Sequence, residues 1–325
     1  MKIAFDANIF SLQRAGGISV HFSLLIKYLC SYKDVEIFIF LKKSKYNFCL
    51  NNESFLRLQN IKKINFIKYE NIFDMRKKIN LNKIKIIHCT YYNFVFVLLG
   101  IKLVYTFHDA APERFIFKYL TRLYILRIIP RLICFVFADS INFVSQFSFD
   151  EYKLFYNFIY KYFSKKIYSI SGNYTSFEKP VFSVRSYVNK SKKSFIFTYI
   201  GLRGYYKNFL SALNSINYFS KESDNLKITL NIIGGSKLKT KEINILNQSN
   251  INYVHHKNID NQKLNFILSK TDLFIHSSIY EGFGITVLEA MSLKVPTLAI
   301  DIPPIRELAG DSIFYTQGST SNSLF

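Results

Sequence analysis

The chain has 325 residues, 49% of them hydrophobic and 20% charged, which is enough for two domains with buried cores. Its net charge of +21 favours anionic partners, either a membrane surface or nucleic acid. The four cysteines stand singly without a Cys-x-x-Cys pair, so we expect reduced packing residues of a cytoplasmic protein rather than disulfides or zinc ligands.

The first half of the chain alternates apolar segments with helical or loop segments. Strands are predicted at residues 2–6, 35–41, 61–69, 84–90, 102–108, 141–145 and 167–171, because each is a short apolar run. After the first strand, Gly16 and Gly17 indicate a loop and the start of a helix. This alternation predicts an α/β domain with a parallel sheet.

Two histidines follow predicted strands in this half. His108, with Asp109 beside it, ends the fifth strand and is expected to face a ligand crevice, since such crevices form at the carboxyl ends of parallel strands. His88 could face the crevice or hold a hydrogen-bonded core position. The other histidines are interpreted as strand-end or structural residues, and not as metal ligands, because no carboxylate or cysteine stands at ligand spacing from them: His255, His256 and His276.

Basic residues stand among apolar ones from Arg114 to Arg131. Such a segment could lie in a membrane interface or form the solvated face of a helix. Residues 1–190 contain 29 Lys and Arg against 12 Asp and Glu, a net charge of +17, and would therefore be attracted to anionic lipid. The longest uncharged run, residues 86–101, has 16 residues and is too short to span a bilayer.

The second half repeats the alternation after a polar linker at residues 173–194. Strands are predicted at residues 195–201, 227–234, 251–255, 272–278 and 296–300. The predicted domains are therefore residues 1–172 and 195–325. The predicted fold class is α/β, with two Rossmann-like parallel-sheet domains that face each other across a cleft.

Two cations, Arg203 and Lys207, follow the strand at 195–201. They are expected at the edge of the sheet where ligands bind. An arginine fork and a lysine point charge both suit phosphate oxygens, so the pair predicts a phosphate site. The alternative is a pair of solvated surface cations.

A glycine turn follows the strand at 272–278. Gly282 and Gly284 precede a helix predicted from residue 285, and their missing Cβ atoms allow a ligand to approach the backbone. Glu281 could reach a sugar, and Glu289 could accept two hydrogen bonds from a ribose; the alternative is two ordinary acids around a helix start. Three N–H groups at the start of the helix suit a diphosphate: those of Gly284, Ile285 and Thr286.

These two patches resemble motifs of the retaining GT-B glycosyltransferases of family 4. Residues 280–291 are similar to the family's Glu-x7-Glu motif, and residues 201–208 to its Gly-x-Arg-x-x-Tyr-Lys-Asn segment. The resemblance implies that Arg203 and Lys207 bind the donor diphosphate, while Glu281 and His108 lie beside the sugar. It further implies a donor-binding set of Gly16, Gly17, Gly282, Phe283, Gly284, Ile285, Thr286 and Glu289.

The first half resembles members of this family that build bacterial surface polysaccharides such as O-antigen, many of them mannosyltransferases. The similar segments are Gly-Gly-Ile-Ser at 16–19, His-Cys-Thr-Tyr-Tyr at 88–92 and Thr-Phe-His-Asp at 106–109. Here Val20-His21-Phe22 replaces the subfamily's usual Arg-Tyr-Phe. The family normally continues beyond the position of Phe325, so the carboxyl-terminal end is expected to be incomplete.

The expected function is a retaining, metal-independent transfer of a hexose, with mannose as one candidate, to a lipid-linked saccharide. The donor would be a nucleotide diphosphate sugar, and no cofactor is expected, because the chain lacks Asp-x-Asp and Gly-x-Gly-x-x-Gly. An anionic membrane surface at the cytoplasmic face is the expected partner, and nucleic acid is not, since no nucleic-acid-binding motif is present. The alternatives are a nucleotide-sugar epimerase and a truncated, inactive donor-binding protein.

Overall fold

The computed structural model of the protein describes residues 1–14, 16–115, 122–162, 166–173, 175, 193–223, 226–249 and 251–316, without the side chains of 122–127. The chain divides into two units, Met1–Ser176 and Phe177–Phe325. Most of the linker predicted at 173–194 lies outside the described residues, as does the end of the chain after residue 316.

The described residues of the first unit form seven strands: β1 (Lys2–Asp6), β2 (Glu36–Lys42), β3 (Ile64–Tyr69), β4 (Ile86–Cys89), β5 (Lys102–Phe107), β6 (Ser140–Phe143) and β7 (Ile167–Ile170). They form one parallel sheet in the order β3-β2-β1-β4-β5-β6-β7. Strand β2 is buried over five successive residues, because a parallel sheet is covered on both faces. All seven strands were predicted, with ends that differ by up to three residues.

Helices cover both faces of this sheet. They are α1 (Asn8–Leu12), α2 (Gly17–Leu29), α3 (Tyr46–Cys49), α4 (Glu53–Gln59), α5 (Ile72–Leu81), α6 (Ala111–Arg114), α7 (Arg122–Phe137), α8 (Gln146–Phe155) and α9 (Asn157–Tyr162). Helix α8 begins with a capping box, in which Ser145 Oγ accepts from Ser148 N at 2.9 Å and Ser148 Oγ accepts from Ser145 N at 3.1 Å. The serines that follow β6 therefore start a helix.

Aromatic side chains dominate the core of the first unit. On one face of the sheet Phe135 packs against Tyr156 with ring centroids 5.0 Å apart, and Phe143 packs against Tyr152 at 5.2 Å. These edge-on contacts are favourable beyond the apolar area that they bury. Aromatic residues of the first unit thus contribute to the packing of its core.

The second unit repeats the architecture, with six strands in the part of it that the structure describes: β8 (Ser194–Ile200), β9 (Lys227–Ile233), β10 (Ile251–His256), β11 (Leu273–His276), β12 (Thr297–Ile300) and β13 (Phe314–Thr316). The parallel sheet has the order β10-β9-β8-β11-β12-β13. Its helices are α10 (Phe209–Glu222), α11 (Thr240–Asn247), α12 (Asn261–Ser269), α13 (Ile285–Ser292) and α14 (Pro303–Ala309). Strand β13 was not predicted, and the other five were. No helix within the described ranges combines the length and apolar character that crossing a bilayer requires.

Candidate functional site

The sheet of the second unit reverses its strand order between β8 and β11. From β8 the sheet continues through β9 and β10 on one side, and through β11, β12 and β13 on the other. At such a point the loops after the two central strands diverge and leave a crevice at the carboxyl edge of the sheet. The two sequence motifs of this unit are the loops that follow β8 and β11.

Three contacts join these two loops. Ser277 Oγ donates to Lys207 O at 2.9 Å, and Ile279 N donates to Tyr206 O at 2.8 Å. Lys207 Nζ donates to Glu281 Oε1 at 2.6 Å, with side chains that are 20% and 15% exposed. The structure therefore brings together Lys207 and Glu281, which the sequence predicted for one site from segments far apart in the chain.

The electrostatics of Glu281 follow from this pairing. Burial alone would raise its pKa, but the nearby Lys207 and His276 outweigh burial and hold the pKa below its usual value. His276 Nε2 lies 3.4 Å from Glu281 Oε1, and burial lowers the pKa of His276 to about 4. Glu281 is thus ionised and His276 neutral at pH 7. His276 was interpreted as structural, and its sequence context gave no signal that it would adjoin Glu281.

Helix α13 starts at the predicted glycine turn. Gly284 has a φ of 102°, a left-handed conformation that favours glycine, and a Cβ there would clash with Ile305. The backbone N–H groups of Gly284, Ile285 and Thr286 have no hydrogen-bond partner among the described residues. Three donors are therefore available at the positive end of the helix dipole.

Glu289 projects from the second turn of α13. It is 7% exposed, and its carboxyl group has no hydrogen-bond partner in the described part of the chain. Burial raises its pKa to about 8. A buried carboxyl without a partner is costly, and a ligand with hydroxyl donors would relieve that cost.

The side chain of Arg203 contacts the loop after β9, whereas the sequence predicted that it would contact a phosphate. Its side chain is 3% exposed and pairs with Glu242, also 3% exposed, through Nε and Oε2 at 3.1 Å. Nη1 donates to Gly234 O at 2.9 Å, and Nη2 donates to Lys237 O at 3.0 Å and to Ser236 O. Four of the five guanidinium N–H groups are thereby used.

His255 Nε2 lies 3.3 Å from Arg203 Nη1 and 2.9 Å from Gly234 O. The loop wraps closely around the guanidinium: a Cβ on Gly235 would lie 2.5 Å from Nη1. This geometry does not support the predicted phosphate contact of Arg203, because binding a phosphate would require residues 234–237 to release it. The Gly-Gly pair after β9 was the available sequence signal for such a loop.

The first unit has its own reversal of strand order, between β1 and β4. Asp6 ends β1, is fully buried, and accepts hydrogen bonds from Asn8 N at 2.7 Å and from both Thr90 N and Thr90 Oγ1 at 2.8 Å. It therefore links the ends of β1 and β4. Gly16 precedes α2 and Gly17 is its first residue, as predicted for a glycine-started helix.

His108 lies just after β5, at the predicted edge of this sheet. Its ring packs against His21, with centroids 5.4 Å apart, and burial holds its pKa well below the usual value. His88 Nε2 lies 2.9 Å from Thr106 Oγ1, which answers the open question in favour of a hydrogen-bonded core position. The described residues include no cluster of three His, Cys, Asp or Glu that could hold a metal ion.

A buried ion pair supports the segment after His108. Arg131 Nε lies 2.8 Å from Glu113 Oε1, both side chains being at most 7% exposed, and Arg131 Nη2 donates to Asp109 O at 2.6 Å. The Arg131 guanidinium also lies 4.5 Å from the centroid of the Tyr92 ring, a cation–π contact. Arg131 is thus an interior residue.

The basic segment predicted for a membrane interface is therefore only partly available. Besides Arg131, Arg114 is engaged, because it forms a two-pronged salt bridge with Glu151. Residues 116–121 lie outside the described residues, as does the side chain of Arg127. Ile129 and Phe137 are 48% and 54% exposed.

A known protein family matches most of the second unit. Residues 183–319 match the family model for glycosyl transferases group 1. The match covers less than half of the chain. An uncharacterized glycosyltransferase of Methanocaldococcus jannaschii is 30% identical over 118 residues, which are 36% of this chain and 28% of that protein. The O-antigen chain mannosyltransferase B of Escherichia coli is 33% identical over 54 residues, 17% of this chain and 14% of that protein. The chain thus spans less than a third of either relative.

Solved structures resemble the whole chain. Anabaena HepE in complex with UDP-glucose has a TM-score of 0.64 at 16% identity, over 100% of this chain and 87% of that one. Sucrose-phosphate synthase from Thermosynechococcus elongatus has a TM-score of 0.65 at 12% identity, over 100% and 88%. At these identities the likeness concerns the fold. The predicted fold class, two parallel-sheet α/β domains of the GT-B type, is confirmed.

Proposed function

We propose that the protein is a glycosyltransferase that moves a hexose from a nucleotide diphosphate sugar to a lipid-linked saccharide. The observation that carries this proposal is the meeting of Lys207 and Glu281 beside the unpaired N–H groups that start α13. The group 1 domain match supports it. The O-antigen mannosyltransferase among the relatives supports mannose as a candidate hexose.

Lys207 and α13 would stabilise the leaving diphosphate. An ammonium group has three N–H donors, and Lys207 uses one on Glu281, which leaves two for phosphate oxygens. The N–H groups of Gly284, Ile285 and Thr286 add fixed donors where negative charge develops as the sugar–phosphate bond breaks. Because protein groups supply this stabilisation, we propose a reaction that requires no metal.

The two glutamates would recognise different parts of the donor. Glu281, ionised and oriented by Lys207, is suited to accept hydrogen bonds from hexose hydroxyls. Glu289, buried without a partner, is suited to accept from both ribose hydroxyls. We further propose front-face attack with retention, in which a donor phosphate oxygen takes the acceptor proton, so no protein base is assigned. The sugar contact of His108, in the first unit, stays a prediction from the family resemblance.

The proposed partners follow from charge. The net charge of +17 on residues 1–190 favours an anionic membrane surface, on which a lipid-linked acceptor would be found. We therefore propose peripheral association at the cytoplasmic face of the membrane, without a nucleic-acid partner.

A panel of nucleotide sugars tests the proposal. We expect one donor to protect the full chain from thermal unfolding and to be consumed only when a lipid-linked saccharide is added. Lys207→Ala should lower turnover by about 10²-fold, the usual cost of losing one donor to a developing oxyanion, while Lys270→Ala, directly after α12, serves as a lysine control. Conversion of the donor sugar without an acceptor would identify an epimerase, and binding without turnover an inactive protein.

A further inference from the structure

A small polar pocket lies at the carboxyl edge of the first sheet, on the side of β2 and β3. Asn8 follows β1, Lys42 ends β2 and Tyr69 ends β3, and the strand register places Lys42 opposite Tyr69. Lys45 and Cys49 also line the pocket. The cavity has a volume of about 10 Å³, close to the space that one water-sized group occupies.

The lining is rich in hydrogen-bond donors. Lys42 and Lys45 form no ion pair with any described residue. The side-chain amide of Asn8, which is 9% exposed, and the hydroxyl of Tyr69, which is 5% exposed, have no hydrogen-bond partner within the described ranges. Two cations and two neutral donors therefore line one cavity, and such a set of donors suits a ligand that supplies acceptor oxygens.

Two lining groups that could carry a negative charge are neutral, and the nearest carboxylate lies outside the lining. Burial raises the pKa of the Cys49 thiol to about 11 and raises the pKa of Tyr69 above its usual value, so both keep their protons at pH 7. The carboxylate of Asp6 is not part of the lining and accepts hydrogen bonds from Asn8 N and from Thr90. Its proximity contributes to the raised pKa values of Cys49 and Tyr69, and Lys42 and Lys45 would offset its charge towards an anion.

The neighbouring cations differ from those of the pocket. Lys43 is paired with Glu70 at 2.6 Å, and Lys68 lies 4.1 Å from the centroid of the Tyr46 ring. Both lie close to the pocket in the same two strand ends, yet neither lines it. They provide matched controls, since their removal changes the net charge equally.

We propose that the pocket formed by Asn8, Lys42, Lys45 and Tyr69 binds a phosphate group, one oxygen of which enters the cavity. The proposal rests on the proposed function and adds to it a place in the first unit for a phosphate of the acceptor. The same chemistry could be supplied by the phosphate that links an acceptor to its lipid or by a phospholipid headgroup.

Pyrophosphate titration of the full chain tests the pocket. Saturating nucleoside diphosphate is present throughout, so that the donor site is filled. The double variant Lys42→Gln/Lys45→Gln should lose about tenfold or more in pyrophosphate affinity, the scale of a lost charged hydrogen bond. The control double variant Lys43→Gln/Lys68→Gln should stay within about twofold of the wild type.

A conservative variant separates the pocket from net charge. Tyr69→Phe removes one hydroxyl donor without changing charge or ring packing, and it should weaken pyrophosphate binding about threefold or more. Equal losses in the two lysine double variants, or no loss in any variant, would overturn the proposal. So would a wild type that fails to bind pyrophosphate.

Two further arms identify the source of the phosphate. Retention of the wild type, but not of Lys42→Gln/Lys45→Gln, on vesicles containing phosphatidic acid indicates a phospholipid headgroup. Unchanged vesicle retention with a higher KM for a lipid diphosphate acceptor indicates the acceptor itself. Donor binding is measured in parallel: if every variant binds nucleotide sugar normally while pyrophosphate binding never depends on the pocket, this inference fails and the proposed function stands.

Discussion

Glu281 and Glu289 belong to one motif but occupy opposite electrostatic environments. Glu281 contacts Lys207 and has a lowered pKa, whereas Glu289 has no partner among the described residues and a pKa raised to about 8. The first is therefore a carboxylate already oriented by a cation. The second is a buried acceptor whose partners would come from a ligand.

This difference predicts separable effects on binding. Glu289→Gln should weaken the binding of a bare nucleoside diphosphate by about tenfold, because it replaces one of the two carboxyl oxygens that could contact the ribose hydroxyls with an amide nitrogen that cannot accept a hydrogen bond. Glu281→Gln should leave that binding within about threefold and impair sugar transfer. Calorimetric titration measures the first effect and a transfer assay the second, with exposed Glu222→Gln as the control. Equal losses of nucleotide affinity in both variants would show that the roles are wrongly divided.

At the scale of elements, Arg203 organises the loop between β9 and α11. Its contacts reach the carbonyl groups of residues 234, 236 and 237, and its partner Glu242 also accepts from Lys239 N at 2.7 Å in the capping box of α11. One guanidinium thus connects the loop after β8 with the loop and helix after β9. Its removal would leave Glu242 buried without its cation.

Arg203→Ala should therefore reduce the stability of the fold more than it reduces nucleotide affinity. We expect a loss of about 3–5 kcal/mol in unfolding free energy, the usual cost of breaking a buried ion pair from one side. Lys207→Ala should lose nucleotide affinity and less stability than Arg203→Ala, because the Lys207–Glu281 pair is 20% and 15% exposed, whereas both side chains of the Arg203–Glu242 pair are 3% exposed. Chemical denaturation and nucleotide titration of both variants decide the matter. Normal stability with lost nucleotide affinity in Arg203→Ala would restore the phosphate role.

The strands and the glycine turn were predictable because their signals are local. Apolar runs located twelve strands, while β13 was missed because three residues, Phe314–Thr316, carry too little pattern. The partners of Arg203 were not predictable, since they come from a loop more than thirty residues away. The burial of Arg131 was missed for the same reason: its partner Glu113 is brought to it by the path from β5 to α7.

At the scale of the molecule, buried titratable groups have opposite effects on how the free energy of unfolding depends on pH. Burial lowers the pKa of His21 to about 4 and of His88 to about 3. Below pH 6.5 the two histidines therefore bind protons in the unfolded chain but not in the folded chain, and stability decreases as the pH falls. Asp6 offsets this partly, because its pKa, raised to about 6, favours the folded state as pH falls. Glu289 acts in the same sense as Asp6, between pH 8 and 4.5.

The last prediction uses these opposite signs. From pH 7 to pH 5, His21→Phe should lose less unfolding free energy than the wild type, by about 2 kcal/mol, since 1.5 pH units below 6.5 correspond to that amount for one group. Glu289→Gln should instead be more stable than the wild type at pH 9, where the buried carboxylate is ionised in the wild type alone. Denaturant unfolding at pH 5, 7 and 9 measures both, and comparison at equal pH cancels the contribution of the overall positive charge. Stability curves that run parallel for the wild type and both variants would mean that neither group titrates differently in the folded and unfolded chains.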